Sequence, residues 1–138
     1  MTFGEKVRKA REERDISQRK LSELTGISLR TIQNYETAGK LPKQREYYGL
    51  LADALHLDVE VLLDEKAEFV MKATEEYGAR ANVQAQEVLE KAQALFAGGE
   101  MEDEDMDAFM RSMQEAYWKA KEKNRKYVPR KYRSQEEE

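Results

Sequence analysis

An arginine, a threonine, a glutamine and an asparagine stand close together in the nine residues SLRTIQNYE, 28–36. At helical spacing Arg30 and Asn34 share one face, whereas Ile32 and Glu36 share another. An arginine can bond a guanine edge in two places, and an asparagine can do the same with an adenine edge. A short helix with one apolar anchor and such a polar row has a suitable shape for the major groove of DNA.

Two helices joined by a tight turn have to position this row. Ser17 is a candidate N-cap for the preceding helix, because its hydroxyl can bond a free backbone N–H of the first turn. Leu21 and Leu24 are three residues apart and are expected on one face of that helix. Gly26 stands where the chain must reverse, and glycine readily takes the positive φ of such turns. Ser28 is the candidate N-cap of the second helix.

These parts form one linked pattern, SQRKLSELTGISLRTIQNYETAGKLP followed by LLADALHLDVEVLL. It includes Ser-Gln at a helix start, Leu-x-x-x-x-Gly-Ile-Ser at the turn, Thr-Ile in the next helix and a Glu before a Gly. The pattern resembles the helix-turn-helix domain of the Cro and lambda-type phage repressors, the XRE-type family, over roughly residues 3–63. The resemblance implies an all-α fold with a five-helix lambda-repressor-like DNA-binding domain. The alternative is a five-helix bundle with a polar helix on its surface.

The resemblance also assigns roles to residues. It places five side chains toward the bases: Leu29, Arg30, Thr31, Gln33 and Asn34. Leu29 departs from the polar residue often seen there and is suited to touch a thymine methyl group. Arg11 is expected to pair with Glu36 and to fix the first helix against the recognition helix, the alternative being a solvated arginine.

Further residues are candidates for phosphate contacts. The resemblance assigns one to Gln18 at the start of the second helix, and Ser28 is included as the N-cap of the recognition helix. Arg19, Lys40 and Lys43 flank that helix in loops or first turns, where their side chains can reach the duplex backbone. Lys43 fits a solvated surface lysine equally well.

The rest of the first 64 residues supplies supporting helices. Thr2 and Glu5 have capping-box spacing, so the first helix is predicted to begin at Phe3. Pro42 suits the first turn of a fourth helix that runs to about Leu55. Its apolar side is predicted to include Tyr47 and Leu51, and a short fifth helix follows Asp58.

The composition changes after Asp64, and we divide the chain into a DNA-binding domain, 1–64, and a C-terminal helical region, 65–138. This region reads as helix with an interruption near Gly78, and an apolar stripe runs from Val88 to Phe96. Gly98-Gly99 ends that stretch. A second long helix follows, with its own apolar stripe from Phe109 to Tyr117 and a basic tail.

The two stripes predict an antiparallel helical hairpin. A hairpin alone buries too little apolar surface to be stable, so the stripes must meet the N-terminal bundle, a second subunit or a foreign protein. We favour pairing with a second subunit.

Composition narrows the class of protein. The 138 residues contain no cysteine, which excludes disulfides and thiolate metal sites and fits a reducing cytoplasm. No apolar run approaches the ~20 residues of a membrane span, and the start is too charged for a secretory signal. The net charge of −4 is uneven, with +1 on residues 1–63, −9 on 64–118 and +4 on 119–138. The acidity therefore lies away from the proposed DNA-reading helices.

Catalysis and cofactor binding are not expected. An EF-hand loop starting at Asp103 would need glycine at its sixth place and glutamate at its twelfth, but Ala108 and Gln114 stand there. His56 is the only histidine, which leaves no credible Ser-His-Asp set. We therefore expect no enzyme, no metal site and no cofactor. The sequence predicts a sequence-specific regulator of transcription that binds double-stranded DNA, a repressor acting as a homodimer on a two-fold operator. The alternative is an antitoxin-like or adaptor protein whose C-terminal hairpin binds another protein.

Overall fold

The computed structural model describes residues 1–95 and 102–126, and all regular structure in these ranges is helical. The eight helices are α1 (Phe3–Glu13), α2 (Gln18–Thr25), α3 (Leu29–Thr37), α4 (Arg45–Leu55), α5 (Val59–Leu62), α6 (Glu65–Tyr77), α7 (Ala79–Leu95) and α8 (Asp103–Lys126). The chain divides into two compact units, Met1–Val83 and Gln84–Glu138. The predicted all-helical fold, with five short helices at its start, is confirmed.

Side-chain caps set where the first three helices begin. Thr2, Ser17 and Ser28 each accept a hydrogen bond from the backbone N–H three residues ahead, at 3.2, 3.0 and 3.2 Å. These bonds satisfy N–H groups that have no partner within the helix. The three predicted helix starts are therefore confirmed. Asp64, which the sequence did not single out as a cap, does the same for α6 at 2.9 Å.

The fourth helix starts later than predicted. Pro42 lies outside it, fully buried in the loop that precedes α4. The neighbouring residue, Leu41, packs against the core. Leu41 and Pro42 therefore cover part of the core, and α4 begins only at Arg45. The buried tyrosine of α4 is Tyr48, while the predicted Tyr47 is only partly buried.

One core position in α2 also differs from the prediction. Leu21 is fully buried, but Leu24 is 52% exposed and Thr25 takes the second inner position. At 3.6 residues per turn, Thr25 lies about 40° from Leu21 around the helix and Leu24 about 60° away on the other side. Leu24 was assigned to the inner face of α2 because it is apolar, and this prediction was wrong.

The core of the first unit extends beyond the five short helices. Ala67 and Met71 of α6 belong to the same buried cluster as Val7, Ile32 and Leu51. Burial of this kind is the main source of stability for a small domain. The compact unit thus continues past residue 64, and α6 contributes to the core that supports α3.

The second unit contains most of α7 and all of α8. Lys121, near the end of α8, donates a 2.6 Å hydrogen bond to Oε1 of Gln84, near the start of α7. This contact agrees with the predicted antiparallel hairpin. The interruption at Gly78 is confirmed, since α6 ends at Tyr77 and Gly78 has φ +91°.

Several parts of the predicted hairpin fall outside the described ranges. They are Phe96, Gly98, Gly99 and the tail from residue 127. On the described part of the stripes, Leu89 and Met110 are buried. Within the same ranges, none of the helices combines the length and the apolar character needed to cross a bilayer.

Candidate nucleic-acid interface

The polar row of α3 lies at the protein surface. Arg30 and Gln33 are exposed, and Leu29, Thr31 and Asn34 are half-buried. On the opposite side of the helix, Ile32 is fully buried and Tyr35 is 3% exposed. The helix therefore anchors itself with one face and offers hydrogen-bonding groups with the other, as a helix that enters the major groove must do.

Side chains at the end of α2 fix the turn before α3. The backbone reverses at Gly26 with φ +77°. Ser22 Oγ donates to the carbonyl of Ile27 at 2.6 Å, and Thr25 Oγ1 accepts from the N–H of Ile27 at 3.1 Å. Thr25 also donates to the carbonyl of Leu21 at 2.8 Å. Ser22 and Thr25 were not predicted from the sequence, although serine and threonine at helix ends are typical partners of backbone groups.

A buried ion pair joins α1 to the end of α3. Arg11 donates from Nε and Nη2 to the two carboxylate oxygens of Glu36, at 3.0 Å each, and from Nη1 to the carbonyl of Ile16 at 3.0 Å. The Glu36 side chain is 1% exposed and that of Arg11 is 13% exposed. The hydrogen bond to Glu36 raises the pKa of Arg11. Two parallel charge-assisted bonds fix both distance and orientation, so α3 has a defined position relative to α1.

The same carboxylate binds Gln18. Its Nε2 donates to Oε1 of Glu36 at 3.2 Å, so the start of α2 is tied to the end of α3. A side-chain amide carries two N–H donors, and one of them is used here. The structure thus places the amide predicted to contact a phosphate in contact with Glu36.

The helices α1 and α3 also approach at backbone distance. A Cβ atom at Gly4 would overlap the carbonyl oxygen of Tyr35. Beside this contact, the rings of Phe3 and Tyr35 meet edge to face with centroids 5.3 Å apart. Gly4 was not identified from the sequence. A glycine in the first turn of a helix lowers helix stability relative to alanine. Its presence there could have indicated that another chain segment packs closely against this position.

The remaining candidate phosphate contacts surround α3. Arg19, Lys40 and Lys43 are exposed, and no ion pair joins any of them to another described residue. The hydroxyl of Ser28 is already engaged: it caps α3 and lies 2.7 Å from the hydroxyl of Thr31. Among the candidate phosphate contacts, these three exposed side chains therefore supply the positive charge.

The structure also locates the residues considered for catalysis and metal binding. His56 is exposed at the end of α4, where its backbone adopts φ +56°. In residues 1–95 and 102–126, no group of three or more histidine and acidic side chains is arranged to hold a metal ion.

Comparisons with known proteins agree with this geometry. Residues 7–62 match the family model described as helix-turn-helix. The chain is also similar to the immunity repressor protein of Bacillus phage phi105, with 26% identity over 145 aligned positions that cover the whole of both chains. No solved structure matches the chain. Residues 7–62 thus form a helix-turn-helix domain, as the resemblance to the XRE-type family predicted. These findings support a DNA-binding regulator of transcription.

Proposed function

We propose that this protein is a sequence-specific repressor that acts in the cytoplasm as a homodimer on a two-fold operator. The observation that carries the proposal is the exposed polar row of α3, supported by the buried Arg11–Glu36 pair. A helix fixed before binding loses little freedom when it enters the groove. The relative from phage phi105, described as an immunity repressor, supports repression.

In this proposal α3 reads the bases. Arg30 bonds a guanine edge in two places, Asn34 bonds an adenine edge, and Leu29 touches a thymine methyl group. Thr31 and Gln33 complete the reading surface. The phosphate contacts come from the residues on either side of it, which are Gln18, Arg19, Ser28, Lys40 and Lys43.

Pairing of two copies supplies the rest of the specificity. One helix-turn-helix unit reads only a few base pairs, and dimers place two reading helices on half-sites about one helical turn apart, or a multiple of that. We assign the pairing to the C-terminal hairpin, which carries the apolar stripes. The acidic segment 64–118, with net charge −9, would face away from the DNA. The basic segment that begins at Lys119 lies partly outside the described residues.

Selection of bound sites from random duplex DNA tests the DNA-binding function. We expect an enriched two-fold sequence, and an affinity that falls steeply as salt rises, since phosphate contacts release counterions. A protein that binds no duplex at low salt would overturn this function. That result would favour the antitoxin-like or adaptor alternative.

Sedimentation tests the pairing separately. The full chain is expected to be a dimer at micromolar concentration, and a chain ending at Val83 is expected to be a folded monomer with much lower operator affinity. The truncated chain keeps residues 64–83, because Ala67 and Met71 belong to the core of the first unit. If the shortened protein is still a dimer, or the full chain is a monomer, the hairpin is not the dimerisation element.

A further inference from the structure

Two of the candidate phosphate contacts share one loop. Lys40 and Lys43 lie in the 38–44 loop between α3 and α4, and both side chains are exposed. Phosphate contacts fix the register of a protein on the duplex, so the groups that make them need a defined position. The backbone ties the start of the loop to α3, since the N–H groups of Ala38 and Lys40 donate to the carbonyl of Asn34 at 2.9 and 3.4 Å. Side chains from later helices bond to the rest of the loop.

The inner side of the loop is bonded to a helix far along the chain. The carbonyl of Pro42 accepts a hydrogen bond from Nδ2 of Asn82 at 3.4 Å. Asn82 lies in the first turn of α7, and its side chain is fully buried. Because the Asn82 amide is buried, leaving this donor without an acceptor would cost about 1–3 kcal/mol, which favours the bond despite its length. Pro42 is itself fully buried, which places its carbonyl at a fixed point.

The end of the loop is held by α6. Arg45, the first residue of α4, donates to Glu68 at 2.7 Å and to the two oxygens of Glu75 at 2.8 and 3.1 Å. The hydrogen bonds from Arg45 lower the pKa of both carboxyl groups, so both acids are charged at neutral pH. The loop is therefore held on one side by α7 and at its end by α6.

We propose that Asn82, through Pro42, and the acids Glu68 and Glu75, through Arg45, are positioning residues for DNA binding. Together they hold the loop that presents Lys40 and Lys43 to the phosphates. The proposal rests on the proposed function, and it extends the DNA-binding machinery past the end of the helix-turn-helix match at residue 62. Asn82, Glu68 and Glu75 take part without touching DNA, because their side chains bond to residues at the loop and not to α3.

The full chain with Asn82→Leu tests this role, since leucine has nearly the same size and no donor. Binding to all duplexes should weaken alike, and the slope of log K against log salt should fall by about one for each phosphate that the loop lysines no longer bind. The base preference found by site selection should not change, because the supports of α3 are intact. Only a role in the loop predicts both results together.

Thr74→Val is the matched control. Thr74 is buried on α6, and its hydroxyl donates to the carbonyl of Val70 in the same helix at 2.7 Å. The change removes a buried hydrogen bond but leaves the loop untouched. Its salt slope should equal that of the wild type when both proteins are measured at a temperature where circular dichroism shows them folded.

If Asn82→Leu does not fold, a second variant tests whether the supports of the 38–44 loop affect DNA binding. Replacing Glu68 and Glu75 together by glutamine removes two negative charges, which by general electrostatics favours binding to DNA. The proposal predicts the opposite, weaker binding with a lower salt slope, because Arg45 loses both carboxylates and the end of the loop is released. Tighter binding by this variant would overturn the proposal.

The outcomes distinguish the role of Asn82 from the repressor function. A wild-type salt slope in folded Asn82→Leu, or an altered base preference, would overturn the role of Asn82 while leaving the repressor function in place. A wild-type protein that binds no duplex would instead overturn the proposed function.

Discussion

Replacing Glu36 by leucine should destabilise the first unit severely. Glu36 is 1% exposed, and it satisfies two donors of Arg11 and one of Gln18. Its loss leaves the guanidinium, 13% exposed, without its carboxylate in a poorly solvated place. Breaking a buried pair by removing one partner costs about 3–5 kcal/mol.

That cost is large for a unit of this size. The first unit spans Met1–Val83, and at roughly 0.05–0.15 kcal/mol per residue its total stability is about 4–12 kcal/mol. The single change can therefore remove about a quarter of the stability or more. Replacing both partners, Arg11→Met with Glu36→Leu, should cost less than the sum of the single changes, because no charge is left buried without its partner.

Hydrogen exchange of the α3 amides is the suitable assay. The only tryptophan, Trp118, lies in the second unit, so its fluorescence does not follow the unfolding of α3. Glu12→Leu is the matched control, since Glu12 pairs with Arg8 one turn away and both side chains are about 60% exposed. That change should cost about 0.5 kcal/mol or less. If Glu36→Leu lowers α3 protection no more than the control, the pair does not hold the recognition helix.

Three other predictions concern the packing of α3 and its proposed contacts with DNA. Gly4→Ala should lower stability by about 1–3 kcal/mol, because its Cβ would overlap the carbonyl oxygen of Tyr35; a thermal midpoint equal to wild type would refute the close approach. Arg30→Ala should weaken operator binding by about 1–3 kcal/mol and relax the preference at one base pair; an unchanged selected sequence removes Arg30 from the reading set. Lys40→Ala should weaken binding to all duplexes alike and lower the salt slope by about one; wild-type affinity at low salt would count against the contact.

The helix starts and the turn before α3 were predictable because their determinants are local. A capping serine acts on an N–H three residues away, and Gly26 takes its positive φ within the turn itself. The exposure of Leu24 was harder to predict from the sequence. Periodicity favours leucine over threonine inside, but Thr25 satisfies its own hydroxyl at the carbonyl of Leu21, so that its burial costs little.

The supports of the 38–44 loop were not predictable, because they depend on partners far apart in the chain. Asn82 lies 40 residues from Pro42, and Glu75 lies 30 residues from Arg45. Neither Asn82 nor Glu75 belongs to a motif, and a single asparagine on a helix looks the same in sequence whether it is solvated or buried. Only the packing of α6 and the first turn of α7 brings them to the loop.

The Arg11–Glu36 pair supports α3, whereas Asn82 supports the 38–44 loop. Changes to these two supports are therefore expected to affect DNA binding in different ways. The Arg11–Glu36 pair fixes α3, which in the proposed function carries the groups that distinguish bases, so the pair is expected to affect sequence preference. In the proposed function the loop lysines meet only phosphates, so Asn82 is expected to affect affinity for all sequences equally. Residues 65–83 lie outside the helix-turn-helix match. Among them, changes at Asn82, Glu68 or Glu75 are expected to alter the strength of DNA binding without altering which operator is chosen, whereas Ala67 and Met71 share a core with Ile32 of α3. On this proposal, the affinity can be adjusted at the supports of the loop while the reading helix stays as it is.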